Sequence, residues 1–336
     1  MYNWKNKNVL ITGINGFVGS NLCKKLINLN ANIFGTINNN STSSLLNFEN
    51  LSQKVNIINV EKNNFLQLKE IIKNYEINYI YHLAAQVEVV KANQDPYFTL
   101  RNNINYTLDL LEASRLAESV NFFYFASTDK VYGDVEKHKL PYKEKYIPKP
   151  TFPYDISKYI SEILVNCYKN NYSIPLVIGR TCNLYGPGQL NFSALIPDCI
   201  RSALGFSTFK PRTNGNHYRD FLYISDVVDL YLIMAEKMSE NKALGGEIFN
   251  AGSNNPINIK SLIMKIFELV MNEKSYIDFK RNLIFPKSES VGEILFQQMD
   301  FQKVSKSFEW RPATHIDRGL ALSIDWYQKY LKDKKL

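Results

Sequence analysis

A tyrosine and a lysine stand four residues apart in Tyr154-Asp155-Ile156-Ser157-Lys158, a spacing that puts both on one helix face, one turn apart. A lysine cation near a phenol favours the phenolate, so Tyr154 could take a proton from a hydroxyl as a hydride leaves its carbon. The spacing is weak alone, because the chain has 21 tyrosines and 40 lysines plus arginines. It gains weight from Ser127-Thr128, which end the β-rich run before that helix, and from a glycine cluster near the start, Thr12-Gly13-Ile14-Asn15-Gly16-Phe17-Val18-Gly19. Gly13 and Gly16 allow a tight turn and close approach of a pyrophosphate, which would sit on the following helix N-terminus, and Gly19 lets that helix pack near the strand. The G-x-x-G-x-x-G spacing differs from G-x-G-x-x-G, so it is the strand–turn–helix setting that makes this a dinucleotide site.

Cofactor choice rests on less. Gly35-Thr36-Ile37-Asn38-Asn39-Asn40-Ser41 carries neither a carboxylate for a ribose 2′-hydroxyl nor an arginine for a 2′-phosphate, and Asn38 could bond either ribose. NAD is the expected cofactor, with NADP the alternative, since the hydroxyls of Ser41-Thr42-Ser43-Ser44 could serve a phosphate. His82 reads as a buried strand-end histidine, and His138, His217 and His315 show no ligand spacing. Cys182 beside Asn183 reads as a small core residue. Four scattered cysteines without a C-x-x-C pair read as reduced thiols, and no metal is expected.

The elements that must position these residues alternate β-rich runs with amphipathic segments, the pattern of a parallel sheet covered by helices. Strands are expected at Val9–Thr12, Asn32–Ile37, Val55–Val60, Tyr79–Ala84, Phe122–Phe125 and Leu176–Arg180. Helices are expected at Phe17–Asn28, Phe65–Asn74, Thr99–Glu118 and Tyr154–Asn170. The stretches Thr36–Asn50 and Asp134–Pro153 read as long loops. Beyond residue 180 prolines punctuate shorter elements. The expected fold is therefore α/β, a doubly wound, Rossmann-like parallel sheet over residues 1–180, with some later segments returning to it. Residues 181–336 would form mainly a smaller, less regular substrate lobe.

The 336 residues are 45% hydrophobic, enough for a real core, which excludes disorder and small disulfide scaffolds. No run of eighteen apolar residues occurs, and Met1-Tyr2-Asn3-Trp4-Lys5 leads too directly into a strand for a signal peptide, so a cytoplasmic protein without a membrane partner is expected. The net charge of +8 comes from scattered lysines, a pattern that suits a phosphorylated small ligand better than nucleic acid.

Taken in order along the chain, the motifs resemble an extended short-chain dehydrogenase/reductase of the nucleotide-sugar epimerase/dehydratase family. They are Thr12–Gly19, His82-Leu83-Ala84-Ala85-Gln86, Asp95-Pro96, Asn103, Ser127-Thr128-Asp129-Lys130-Val131-Tyr132-Gly133 and Tyr154-x-x-x-Lys158. Arg180–Pro187, Arg219-Asp220-Phe221 and Phe249-Asn250-Ala251-Gly252 continue the series, and Trp310-Arg311-Pro312 looks like the family's C-terminal turn. The resemblance implies that Gly13, Gly16 and Gly19 cradle the pyrophosphate, with Asn15, Phe17 and Val18 also contacting the cofactor. Asn38 would meet the adenosine ribose, and Glu61 and Lys62 the adenine. Leu83, Ala84 and Gln86 would line the nicotinamide riboside, and Ala85, Asn103, Ser127 and Thr181, together with Tyr154 and Lys158, would also contact the cofactor. Gln86, Thr128, Asn183, Lys210 and Arg219 would bind a nucleotide-diphosphate sugar, with base contacts around Leu195 to Lys210. Relatives pair as homodimers through the two long helices. Tyr106 departs from the family, which usually has a small glycine there.

The residue after Thr128 chooses the reaction within the resemblance. Epimerases usually carry small or neutral residues there, whereas 4,6-dehydratases carry an Asp. Oxidation at C4 acidifies the C5 proton, a base removes it, and Asp129 would protonate the departing C6 hydroxyl, with its pKa raised by its pocket. Lys130 stands where many dehydratases have a Glu base, and it could serve only if made neutral. Thr128, Asp129, Lys130, Tyr154 and Lys158 thus form the implied catalytic set. The Thr-Asp-Lys triplet, and Glu293 seven residues before Asp300, resemble the CDP-glucose 4,6-dehydratase branch. A C4 or C2 epimerase is the alternative within the family, and a dinucleotide-binding regulator without turnover is the remote one.

Overall fold

The computed structural model describes residues 2–37, 43–60, 64–241, 245–287 and 294–334. In chain order the first half runs β1 (Asn8–Thr12), α1 (Phe17–Asn28), β2 (Asn32–Ile37), α2 (Leu45–Phe48), β3 (Asn56–Asn59), α3 (Phe65–Asn74), β4 (Tyr79–His82), α4 (Val89–Gln94), α5 (Pro96–Ala117), β5 (Phe122–Thr128), α6 (Pro153–Tyr172) and β6 (Leu176–Thr181). The second half adds β7 (Asn183–Tyr185), α7 (Leu195–Ala203), β8 (Tyr218–Arg219), β9 (Phe221–Tyr223), α8 (Ile224–Glu240), β10 (Ile248–Ala251), β11 (Ile257–Asn258), α9 (Ile259–Val270), α10 (Glu273–Asn282), α11 (Gln302–Phe308) and α12 (Ile316–Asp333).

Seven parallel strands in the order β10-β6-β5-β4-β1-β2-β3 form the main sheet. Its strands are apolar on both faces because helices cover both. Val9, Ile11, Tyr79, Tyr81, Phe122, Tyr124 and Val177 enter one core with residues of α1 and α8. Their alternates Leu10, Ile80, Phe123, Phe125, Leu176 and Ile178 enter the other with α3, α5 and α6. The period of two along each strand makes this division. Register aligns Thr12 with Thr36 and with His82, and Thr181 with Thr128 and Ala251, so polar strand ends gather along one edge. The order reverses at β1, where β2 lies to one side and β4 to the other, which opens a crevice at the carboxyl ends.

Several boundaries differ from the sequence reading. The helix expected from Thr99 begins at Pro96, because the Asp95 carboxylate accepts from the Phe98 N–H at 2.9 Å and proline fits the first helical turn. The strand expected to end at Phe125 runs on to Thr128, and the one expected to end at Arg180 runs to Thr181, each carrying site residues to the sheet edge. Tyr79–Ala84 shortens to Tyr79–His82. The loop from Thr36 contains α2, capped by Ser44, and the loop before Pro153 is tied down by a bridge from Tyr142 to Met299. From the second half, β10 joins the sheet beside β6 and α8 packs against α1. The remainder builds two small sheets, β7 with β9 and β8 with β11, and the helices α7, α9, α10 and α12.

Candidate active site

Along the carboxyl edge of the sheet, between it and the second-half elements, lies a cleft of about 1100 Å³. At one end stands the glycine turn. Gly13 has φ +70°, and a Cβ on Gly19 would come within 2.4 Å of the Gly13 carbonyl oxygen, so neither position tolerates a side chain in this geometry. No side chain caps the α1 N-terminus at Gly16, and Phe17, Val18 and Gly19 of the first turn line the cleft. Free N–H groups, the positive end of the helix dipole and bare backbone suit a pyrophosphate. The residues present therefore fit a dinucleotide.

His82 shows how firmly the turn is held. Thr12 Oγ1 accepts from the Leu83 and Ala84 N–H groups, each at 3.1 Å, leaving its own proton for His82 Nδ1 at 2.8 Å. Thr107 donates to the Asn103 carbonyl, so His82 Nε2 must be the donor across its 3.0 Å contact with Thr107. The imidazole is neutral, consistent with burial, and secondarily Lys158, pushing its pKa down to about 3. It is the structural histidine that the sequence implied.

Tyr154 and Lys158 come from the first turns of α6, and Thr128, Asp129 and Lys130 from the end of β5 and the turn after it, and all five line the cleft. Burial pushes the Tyr154 phenol up, with Asp155 and Asp129 adding to it and the Thr128 hydroxyl pulling it back. Burial also pushes the Lys158 ammonium down to about 8, against the pull of Glu162. Lys158 Nζ lies 4.6 Å from the Phe125 ring centroid, and Lys130 Nζ lies 5.8 Å from that of Tyr154. Asp129 is 2% exposed and its carboxyl is pushed up to about 6, mainly by burial, although Lys130, Thr128 and Arg219 draw it down. Thr128 Oγ1 donates to its Oδ1 at 3.2 Å, while Oδ2 has no hydrogen-bond partner among the described residues. The adjacent Asp155 is raised to about 7, again chiefly by burial.

Of the other anticipated positions, Asn15, Leu83, Ala84, Ala85, Gln86, Ser127, Thr181, Asn183, Lys210 and Arg219 all line the cleft. Asn103 is not among the residues that line the cleft. It is buried, accepts from the Gln86 N–H at 2.8 Å and donates to the Gln86 carbonyl and Ser157, so it holds the loop from behind. Ser127 donates to Glu162, whose carboxylate also takes Arg180 Nε at 2.9 Å and Nη2 at 2.6 Å in a pair 2% exposed on both sides. Asp220 turns inward to accept from the N–H groups of Ser253, Asn254 and Met299. Asn38, Glu61, Lys62 and Glu293 lie outside the described residues.

Sequence reasoning passed over several lining residues. Tyr106 was visible only as a departure from the family, and Thr36 only as part of a strand. Arg212 and His217 also reach the cleft, where no sequence signal marks them, and so does Asp198, within the stretch Leu195 to Lys210 expected to meet the base. Cys182 does too, though it read as core. Among the described residues no group of His, Cys, Asp and Glu could hold a metal, and no helix is long and apolar enough to cross a membrane.

A family model described as GDP-mannose 4,6 dehydratase matches residues 10–322. The dTDP-glucose 4,6-dehydratase of Haemophilus influenzae is 27% identical, over 95% of this chain and 97% of its own length. A solved UDP-glucose 4-epimerase of Thermotoga maritima with UDP-glucose superposes with a TM-score of 0.85 at 26% identity, covering 96% of this chain and 99% of that one. A UDP-glucuronic acid 4-epimerase of Bacillus cereus, solved with UDP-glucuronic acid and NAD, gives 0.81 at 26% identity, with 96% and 99% covered.

Proposed function

The chain belongs to the GDP-mannose 4,6 dehydratase family of extended short-chain dehydrogenases/reductases, and on that premise we propose that it is an NAD-dependent nucleotide-diphosphate-sugar 4,6-dehydratase. The observation that carries this reading is the Asp129 carboxyl, buried in the cleft wall beside Thr128, raised to about 6 and with one oxygen unpartnered among the described residues. An epimerase has no use for an acid at that point. A bound nicotinamide would take the C4 hydrogen as hydride and return it at C6. Tyr154 accepts the proton of the C4 hydroxyl, and the Lys158 ammonium lowers the cost of phenolate once the substrate is in place. Thr128 orients both the phenol and Asp129. Asp129 gives its proton to the departing C6 hydroxyl, and we assign the C5 proton to Lys130, which can take it only in its neutral form and would give it back to C5 as hydride adds at C6. The Thr-Asp-Lys triplet favours CDP-glucose or a close relative as substrate.

The likeness to 4-epimerases keeps C4 epimerisation as the second reading, because it needs Tyr154 and Lys158 but not Asp129. Asp129→Asn separates the two. The amide keeps size but cannot release a proton, so single-turnover spectroscopy with CDP-glucose should show reduced nicotinamide building up with little 4-keto-6-deoxy product. Turnover at the wild-type rate would remove Asp129 as the acid and leave epimerisation as the better reading.

We also propose that two copies pair through α5 and α6, as the family resemblance implies. The two helices pack side by side, and Leu108, Leu116, Ile163 and Tyr172 remain exposed on them.

A further inference from the structure

Dinucleotides lie across the reversal point of such a sheet, with the adenosine half on the side of β2 and β3. The usual device there is a carboxylate just after β2 that takes the ribose hydroxyls, and this chain has none between Gly35 and Ser41. What the cleft does contain on that side is a pair of hydroxyls from different elements. Tyr106, on α5, reaches Thr36, in β2, with its phenol oxygen 2.9 Å from Thr36 Oγ1, and both residues line the cleft. Thr36 is itself fixed to the glycine turn, its carbonyl accepting from Gly13 N–H at 3.0 Å. The Tyr106 ring is held from behind by His82, at 5.5 Å between centroids. We propose that this Tyr106–Thr36 pair is the adenosine-ribose subsite, a neutral substitute for the missing carboxylate. The inference rests on the dinucleotide-dependent reading given above.

The hydrogen count supports it. Two hydroxyls bonded to each other use one of their two protons, so one proton and several lone pairs remain for a ligand. A ribose diol can both donate and accept, and a hydroxyl pair offers it a proton as well as lone pairs, where a carboxylate only accepts. Desolvation keeps the phenol protonated, its pKa raised to about 12, so it stays a donor at any physiological pH. The bulk at position 106 then has a use in this chain, where a glycine would leave Thr36 without its partner.

Calorimetric titration of the full chain, freed of bound nucleotide, with ADP-ribose and with nicotinamide mononucleotide tests this. Tyr106→Phe keeps the ring and Thr36→Val keeps the shape, and each should weaken ADP-ribose binding about three- to tenfold, the range for one lost hydrogen bond. The double variant should lose little more than either single, because the two act as a unit. Nicotinamide mononucleotide binding and the melting temperature should stay at wild-type values. ADP-ribose affinities equal to wild type in both singles overturn the subsite while leaving the functional reading intact. A wild-type chain that binds neither ADP-ribose nor NAD overturns both.

Discussion

At the scale of single residues, the site is defined by side chains taken out of water while still ionisable. Tyr154 is the group whose hydroxyl has no substitute. Tyr154→Phe keeps the ring's packing and should cut turnover by roughly 10²–10⁴-fold with bound cofactor retained, since the proposed pyrophosphate contacts lie at Gly13 to Gly19. A purified variant within a few-fold of wild type would refute the assignment of the phenol as proton acceptor. The Asp129 carboxyl is shifted up and the Lys158 ammonium down, so they lose their protons at different pH values, and this makes a pH profile informative. The raised Asp129 carboxyl is protonated below about 6, so its proton for the leaving hydroxyl is lost as pH rises through that value. The depressed Lys158 ammonium keeps its charge up to about 8 and loses it above. The single-turnover rate of product formation should therefore begin to fall near pH 6, whereas C4 oxidation, read as reduced nicotinamide, should hold until about pH 8. Two profiles falling together at the lower pH would contradict a separate acid for elimination.

At the scale of elements, β5, α6 and β6 are held together by Ser127, Glu162 and Arg180, with Ser127 next in the chain to Thr128 of the proposed catalytic set. Glu162 lies one turn beyond Lys158 on α6 and favours its charged form, so the pair is linked to the site electrically as well as mechanically. Arg180 also lies 4.7 Å from the Tyr132 ring centroid, in the segment that carries Asp129. Removing one member of a buried ion pair leaves an uncompensated charge in low dielectric, which costs about 3–5 kcal/mol. Glu162→Ala should lose stability of that order in urea unfolding, and the double change Glu162→Leu with Arg180→Met should recover most of it. A single variant that unfolds at the wild-type midpoint would show that the pair is not structurally coupled to the sheet.

At the scale of the whole molecule, the cleft exists because second-half elements close over the strand ends of the first half. Asp220 ties β9's approach to the segments at 253–254 and 299, and Asp226 at the start of α8 accepts from Ala313 and Thr314, docking the turn around Trp310. Arg219 and Asn183 are carried to the cleft by that framework. The paired copy proposed through α5 and α6 would cover the exposed apolar side chains on the outer surface. Ile163→Asp, at a position 52% exposed, should leave folding intact and shift the sedimentation coefficient from dimer to monomer. A wild-type chain that sediments as a monomer at micromolar concentration would dispose of the pairing.

The doubly wound sheet, the glycine turn and the Tyr154/Lys158 pair were legible in the sequence as local pattern, whereas the other expected cleft positions came only from the family resemblance. Near-continuous apolar strands alternating with amphipathic helices are the pattern of a parallel sheet covered on both faces, and the turn at Gly13–Gly19 demands glycine whatever surrounds it. The Tyr154/Lys158 spacing is equally local, since one helical turn separates them. Asn103, which the family resemblance places at the cofactor, shows what a motif leaves open. A polar residue at the expected position on a helix looks the same whether it faces the cleft or, as here, the backbone of Gln86 behind it. Long-range packing was needed to establish that β10 returns to the sheet, that Tyr106 meets Thr36 across seventy residues, and that Asp129 is dry enough to keep its proton to about pH 6. Each depends on which distant segment excludes water or supplies a partner, and neither composition nor spacing records that.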